Sequence, residues 1–554
     1  MLEILKRLLS RPVLFGEMLL ASLFGNLLAL VSPIFVILVL NRYIAHGVDT
    51  TLATLAIGTI IAIFLEYIFR RVRYRFAEAL NENADKQQDI SAFDTAKNSK
   101  NFSFSQIPSE TVRDIITSTD SIRQVYSPSN ICLLLDVPFA VIFLSTLYFL
   151  NPILCYITLI FITIVSLGIL SGILSLRTPT RNMRQASGLR AQVIDASVSS
   201  PDTIRAFDHS NFLEARWSAA TNSIHTLSRY IWDRQNRIQT AIRGANALLT
   251  VLIITAGALL VVDGKLDVGA MIGANILAAR ALMPIISLSQ QVDGWVRAGQ
   301  ARRSLADFVQ IPKERKSGTA INKYSGNIEV RNVTFTYPSL SSILIDELNF
   351  SVRAGEVLCV SGQNGSGKTT LAKLLAGLLD PGRGQILVGG IDLQQIAPDW
   401  WRKQIMYLPQ EPYFINGSIR ENFNAFNPDL SAPEIRKLLV VVGLETLADE
   451  SPGGLDQPVG KGGVNLSLGV RRRLALARAL SHDGPLAILD EPTEGIDATG
   501  ASYVYNVMNE MARNKKTIIA CSHDREIIRG AHLFLDLNER PRPNIKDINK
   551  DISP

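Results

Sequence analysis

Cysteine is scarce, with four in 554 residues, and no two are spaced as zinc ligands or as a disulfide frame. Cys132 and Cys155 lie in apolar runs and Cys359 and Cys521 in apolar stretches of the second half, where buried, inert thiols are the expected reading. An excess of one charge is also lacking. The net charge is only +6, and no basic run is interleaved with aromatics, so nucleic acid is not implied as a partner. The small basic balance suits loops beside anionic lipid. A cleavable leader is missing too: Met1 to Pro12 carries Lys6, Arg7 and Arg11 but no small-residue cleavage site before the next apolar run. That piece is expected to lie along the cytoplasmic face of a membrane.

Long hydrophobic runs, by contrast, fill the first half. Six approach the roughly 20 residues that cross a bilayer: Phe15 to Leu40, Thr51 to Phe69, Ile131 to Phe149, Pro152 to Leu176, Gly244 to Val262 and Val268 to Ser289. The turns after the first, third and fifth hold almost no Lys or Arg, whereas the connections Arg70 to Ser129 and Arg177 to Arg243 are long and basic. The positive-inside rule therefore places both long connections and both termini in the cytoplasm. At about 1.5 Å per residue, paired helices in such a connection reach roughly 40 Å beyond the bilayer, far enough to meet a cytoplasmic motor.

Charges inside spans need partners or water. Asp136, near Pro138, and Arg280, ahead of Met283-Pro284, are read either as an interhelical polar pair or a snorkelling Arg, or as residues facing a central cavity. Glu17 and Glu66 lie near the cytoplasmic ends, where the first of these readings is favoured. The polar stretch 310–326, with Lys313-Glu314-Arg315-Lys316, marks a linker, so the domains are expected at 1–309, 327–540 and a polar tail at 541–554.

The second half is organised around Gly362-Gln363-Asn364-Gly365-Ser366-Gly367-Lys368-Thr369-Thr370, directly after the apolar run Val357 to Val360. This reads as strand, phosphate-cradling loop, then helix. Glycines let backbone N–H groups converge on one anion, the helix adds its positive end, Lys368 neutralises phosphate charge and Thr369 holds Mg²⁺. Such a motif arises by chance in roughly one chain in fifty of this length, so its partners decide. Tyr337 ends a strand about 25 residues earlier; it is either a sheet residue or an adenine platform, and its place before the loop favours the platform. Gln410 ends Tyr407-Leu408-Pro409-Gln410, presenting an amide to Mg²⁺ or water. Leu486 to Leu489 is a buried strand ending in Asp490, for the Mg²⁺ shell, and Glu491, for the attacking water. His523 follows the strand Thr517 to Ser522, placed to meet the γ-phosphate and Glu491. Leu466-Ser467-Leu468-Gly469-Val470 opens an Arg-rich helix whose N–H groups suit the phosphate of a second copy, since the first copy's loop already holds its own.

The ordered series Tyr337, Gly362 to Thr370, Gln410, Leu466 to Val470, Asp490-Glu491, Asp497 and His523 resembles the nucleotide-binding domain of the ABC transporter superfamily. The six spans ahead of it resemble an ABC exporter half-transporter. The resemblance implies an α-helical six-span transmembrane domain of the type I exporter fold joined to an α/β P-loop domain, with ATP and Mg²⁺ as cofactors. It also implies roles: Tyr337 as adenine-stacking aromatic, Gly362 to Thr370 as Walker A, Gln410 as Q-loop, Asp490 and Glu491 as Walker B aspartate and catalytic glutamate, Asp497 as D-loop and His523 as switch histidine. Coupling helices are expected, on the same ground, near Phe102 to Ile107 and Phe207 to Phe212. Ser32-Pro33-Ile34-Phe35 with Asn41-Arg42-Tyr43, Asp136-Val137-Pro138-Phe139-Ala140 and Arg280-Ala281-Leu282-Met283-Pro284-Ile285 look like type I secretion exporters. Those work from a bacterial inner membrane with a periplasmic adaptor and an outer-membrane channel on a secreted polypeptide. Because the chain begins just before its first span, it resembles the shorter members, without an N-terminal peptidase domain.

Two departures stand out. The usual signature Leu-Ser-Gly-Gly-Gln is here Leu466 to Val470, keeping Ser467 and Gly469, and Lys461 replaces a common Glu in the loop before it. Because Ser467 and Gly469 supply the expected phosphate contacts, slowed but retained hydrolysis in a homodimer is expected; the rival is a heterodimer whose partner supplies an intact signature. An exporter of lipid or small molecules stays as the alternative cargo reading, because fold does not fix cargo. A soluble ATPase is nearly excluded by the six spans.

Overall fold

The structure is a computed structural model; it describes residues 8–9, 11–44, 49–100, 107, 109–199, 201–206, 210–321, 324–337, 342–449, 453–539 and 543–548. Most of Met1 to Pro12, of Phe102 to Ile107 and of the tail after 540 lies outside them, so most of the expected surface segment and of the first coupling helix falls beyond the described residues; of the second, Phe207 to Phe212, residues 207–209 lie outside and 210–212 begin the helix Ser210–Val262. The chain divides into two compact units, residues 1–94 with 109–310 and residues 95–108 with 311–554.

Among the described residues of the first unit, six helical stretches are long and apolar enough to cross a membrane. The first is α1 (Pro12–Leu28) followed by α2 (Val31–Leu38), which ends in a π-turn at Val39–Tyr43. Their interruption at Ala29-Leu30 has a local cause: Pro33 has no N–H for the Ala29 carbonyl, and its ring crowds that group. The others are α3 (Asp49–Asn98), α4 (Pro128–Leu150), α5 (Pro152–Ser199), α6 (Ser210–Val262) and α7 (Val268–Gln290). Thus the second, fourth and fifth apolar runs are the ends of helices 48 to 53 residues long.

Burial is inverted relative to a water-soluble bundle. Ile60, Phe64, Ile160, Ile164 and Leu259 expose 60% or more of their surface, as expected where lipid is the solvent. Inside, α7 approaches α2 through Gly269 and Gly273: a methyl group on Gly273 would lie 2.3 Å from Ile37 Cγ1. The Gly269 N–H donates to Asn41 Oδ1 at 3.0 Å. Small residues four apart are the usual means of such close helix contact in membranes.

Asp136 is committed to an interhelical ion pair. Arg73, 3% exposed, donates to its two oxygens at 2.5 and 3.2 Å and to Ser22 Oγ at 3.2 Å, and Asn26 Nδ2 donates to Asp136 Oδ1 at 3.1 Å. Arg73 lies on the basic side of α3, so its role as partner was not legible from spacing. Arg280 is half-buried on α7.

Among its described residues the second unit holds two sheets. One is antiparallel, in the order β2-β1-β4-β5, from β1 (Ile328–Phe335), β2 (Ile345–Val352), β4 (Arg383–Val388) and β5 (Ile391–Asp392). The other runs β10-β9-β3-β8-β7-β6, from β3 (Val357–Ser361), β6 (Ile405–Leu408), β7 (Leu486–Asp490), β8 (Thr517–Cys521), β9 (Leu533–Asp536) and β10 (Ile545–Asp547). All of its pairings are parallel except that of the edge strand β10. β7 and β8 are buried along their whole length, which is why they read as unbroken apolar runs rather than alternating ones. Their helices are α8 (Lys368–Leu375), α9 (Leu468–Leu480) and α10 (Ala498–Arg513).

Candidate functional site

Parallel strands deliver their carboxyl ends to one edge of the sheet, and ligand sites collect there. The loop 362–367 leaves β3, Gln410 follows β6, Glu491 follows β7 and His523 follows β8. Four segments far apart in sequence therefore meet in one cleft of about 800 Å³. From the sequence reading, Tyr337, Gln363, Asn364, Gly365, Gly367, Lys368, Thr369, Thr370, Gln410, Glu491 and His523 line it.

The loop is built by its glycines. Gly362, Gly365 and Gly367 have φ of 153°, 84° and 104°, and a methyl group on Gly362 would meet Ser366 Oγ at 2.4 Å. Ser366 Oγ is buried with no hydrogen-bond partner among the described residues. α8 begins at Lys368, 7% exposed, so its free N–H groups and positive end face the cleft. The Lys368 ammonium donates to Gly362 O at 2.7 Å, lies 2.7 Å from His523 Nε2 and stands 3.5 Å from Glu491 Oε1. A buried cation thus sits where phosphate charge would be neutralised.

Glu491 has φ of 48°, a left-handed conformation costing about 1–3 kcal/mol for a residue with a side chain. Its N–H donates to Cys521 O at 2.8 Å, tying it to β8 and aiming the carboxylate at the cleft, 3.8 Å from His523 Nε2. Asp490 lies beneath, 1% exposed, and neither carboxylate oxygen has a hydrogen-bond partner among the described residues. Burial pushes its carboxyl above the ordinary range; the nearby Thr369 hydroxyl, Lys373 and Lys368 offset this only in part. The Thr369 hydroxyl donates to Gln410 Oε1 at 3.2 Å. An orphaned buried carboxylate, a hydroxyl and an amide oxygen form a hard-oxygen set that fits a small divalent cation completed by phosphate and water. Burial also lifts the Cys359 thiol to about 12 and Cys521 well above its usual value, so the thiols beside the loop are inert.

Tyr337 packs edge-on against Phe335 at 4.9 Å between ring centroids and shares a 3.2 Å hydrogen bond with Thr370 Oγ1. Its ring is only partly buried and borders the cleft. Gly362, Ser366 and Asp490 support the cleft without lining it.

Ser467, Gly469 and Asp497 are not in this cleft. Ser467 caps α9, accepting from Val470 N at 3.4 Å, and a methyl group on Gly469 would meet nothing within 4 Å. Leu468, 42% exposed, leans on Gly495. Asp497 caps α10 by accepting from Gly500 N at 3.1 Å.

Sequence reasoning missed Leu344, Thr493, Glu494, Ser522 and Asp524, all of which line the cleft. Thr493 and Tyr505 donate to Asp524 Oδ2 at 2.8 and 2.5 Å. Glu494 Oε2 accepts from Gln410 Nε2 at 3.3 Å and from Arg472 Nη2 at 3.0 Å. Burial acts against it, yet those two bonds hold the Glu494 carboxyl below its ordinary range. Their adjacency to Glu491 and His523 was the available signal for four of the five; Leu344 follows 338–341, where no pattern marks it.

Comparison with known proteins agrees with this geometry. Residues 15–285 match the family described as ABC transporter transmembrane region and residues 345–494 the family described as ABC transporter, together most of the chain. The alpha-hemolysin translocation ATP-binding protein HlyB of Escherichia coli is 27% identical over 525 residues, covering 94% of this chain and 73% of that protein. The leukotoxin export ATP-binding protein LtxB of Aggregatibacter actinomycetemcomitans is 27% identical over 541 residues, 95% of this chain and 74% of that one. The toxin RTX-I translocation ATP-binding protein of Actinobacillus pleuropneumoniae is 26% identical over 533 residues, 94% and 73%. In fold, a solved bacterial Atm1-family ABC exporter with ATP bound matches with a TM-score of 0.78 at 20% identity, over 98% of this chain and 96% of that one.

Proposed function

The chain belongs to the ABC transporters, and from that premise we propose that it is the ATP-driven motor of type I secretion, exporting an unfolded polypeptide across a bacterial inner membrane. The observation that carries the enzymatic half is the convergence of Lys368, Glu491, His523 and Gln410 on one cleft from the ends of four parallel strands. Similarity over more than nine-tenths of the chain to toxin and hemolysin translocation proteins supports the cargo class. A periplasmic adaptor and an outer-membrane channel are the partners this reading requires.

In the proposed reaction the loop N–H groups from Gly362 to Thr370 and the end of α8 bind the ATP phosphates, and Tyr337 stacks on adenine. Glu491 orients and deprotonates the attacking water, and His523, bridging Lys368 and Glu491, holds the γ-phosphate in line. When bound by Thr369, Asp490 and Gln410, Mg²⁺ supplies charge neutralisation at the β- and γ-phosphates. Ser467, Gly469 and Asp497, lying outside their own copy's cleft, are assigned to the nucleotide of a second copy. Closure of two copies on ATP and their release after hydrolysis drive alternating access.

One observation favours a second assembly: Leu468 and Val470 stand where the family usually has Gly and Gln, and Leu468 is exposed at the start of α9. A heterodimer would then carry an intact signature on its other chain. Comparing secreted proteins of cells carrying the wild-type gene or Glu491→Gln tests the cargo reading. A polypeptide lost from the medium in the variant supports it; an unchanged secretome with altered envelope lipid would replace it with lipid export.

A further inference from the structure

Gln410 can serve a cation only through its oxygen, yet a primary amide presents an oxygen at one end and an NH₂ group at the other, and neighbours decide which faces where. The Thr369 hydroxyl, able to donate or accept, is compatible with either end. The other neighbour is not neutral in this choice. Glu494, the fourth residue after Asp490, meets the far end of the amide as a carboxylate, which only accepts; the NH₂ must face Glu494 and Oε1 must face Thr369 and the cation-binding set. Glu494 is itself half-exposed, with 51% of its side chain accessible, and would be a loose guide without an anchor. Arg472, on α9 and 9% exposed, supplies it at 3.0 Å. The Nε and Nη1 of Arg472 are buried without hydrogen-bond partners, so the carboxylate is also what compensates that guanidinium.

We propose that Glu494 is a positioning residue for the divalent cation: held by Arg472, it fixes the Gln410 amide with its oxygen toward the metal and thereby sets metal affinity of the nucleotide site. The helix that opens with the signature residues is in this way tied to the metal ligand Gln410 through one carboxylate. The inference rests on the nucleotide reading given above.

Losing the bias between amide ends halves the competent population, a twofold factor, and the accompanying cost of re-ordering the freed side chain brings the total loss to about three- to tenfold. The test is Mn²⁺ titration, read by electron paramagnetic resonance, of the full-length protein in detergent with adenylyl-imidodiphosphate bound. Nucleotide affinity is measured separately in EDTA with trinitrophenyl-ATP. Glu494→Ala is expected to raise half-saturating Mn²⁺ about three- to tenfold while leaving affinity in EDTA within twofold. In a Gln410→Glu background, where both ends are oxygen, Glu494→Ala should bring no further loss. Should Glu494→Ala fail to fold because Arg472 is left unpaired, Arg472→Met/Glu494→Ala removes both charges and carries the same expectation. A loss below threefold, or one that persists undiminished with Gln410→Glu, overturns the proposal. Wild-type protein that binds no nucleotide in EDTA overturns the reading beneath it instead.

Discussion

Asp136→Ala is the sharpest perturbation of the membrane unit, because it removes one half of a buried ion pair and leaves the other in place. The substitution deletes two bonds from Arg73 and one from Asn26. Among the described residues the guanidinium keeps its bond to Ser22, and its Nε has no hydrogen-bond partner. Breaking a buried pair this way costs about 3–5 kcal/mol. Water drawn to a charge within the bilayer relieves part of that, placing the loss near ~3 kcal/mol. At about 2–4 °C per kcal/mol for a unit of this size, the full-length protein in detergent should lose about 6–12 °C in apparent Tm. Monodisperse protein surviving a temperature series, read by size-exclusion chromatography, measures this. Arg73→Leu/Asp136→Leu removes both charges and should recover most of the loss. An Asp136→Ala Tm within about 2 °C of wild type, or a double variant as damaged as the single one, would refute the buried pair and return Asp136 to a water-filled cavity.

Tyr337→Ala should weaken ATP binding by about 1–3 kcal/mol through loss of the ring, whereas Tyr337→Phe, keeping the ring but losing the bond to Thr370, should bind almost as wild type; equilibrium binding of a fluorescent nucleotide compares them. Asp490 has a folded pKa raised by burial, so its stabilising contribution is complete below the ordinary carboxylate range and is lost as pH rises through the raised value. Metal-free wild type should therefore lose Tm over that window relative to Asp490→Asn, and a flat difference between the two curves would count against the buried, unpartnered carboxylate. Gly273→Leu should cost at least about 1–3 kcal/mol by forcing α7 from Ile37, while Gly58→Ala, with nothing near its added methyl, should be neutral or stabilising; thermal melts of both variants check this.

The apolar runs, the phosphate loop and the strand ends were legible in the sequence because each rests on local chemistry. A buried parallel strand needs an unbroken apolar run, and a phosphate nest needs glycine at Gly362, Gly365 and Gly367. Partners set by tertiary geometry were not legible. Nothing in spacing joins Arg73 to Asp136, 63 residues apart, or Arg472 to Glu494 across two elements. Asp490 and Glu491, adjacent in sequence, look equivalent there. The fold separates them, one orphaned under the cleft and the other turned into it at φ 48°.

Turnover of ATP in this cleft is tested most directly by the initial rate of ATP hydrolysis by the purified full-length protein with Mg²⁺, wild type against Glu491→Gln. Measurable turnover is expected, falling at least about 100-fold in Glu491→Gln while nucleotide binding persists. No hydrolysis by the wild type, alone or with a partner chain carrying an intact signature, or a rate that Glu491→Gln leaves unchanged, would contradict turnover in this cleft.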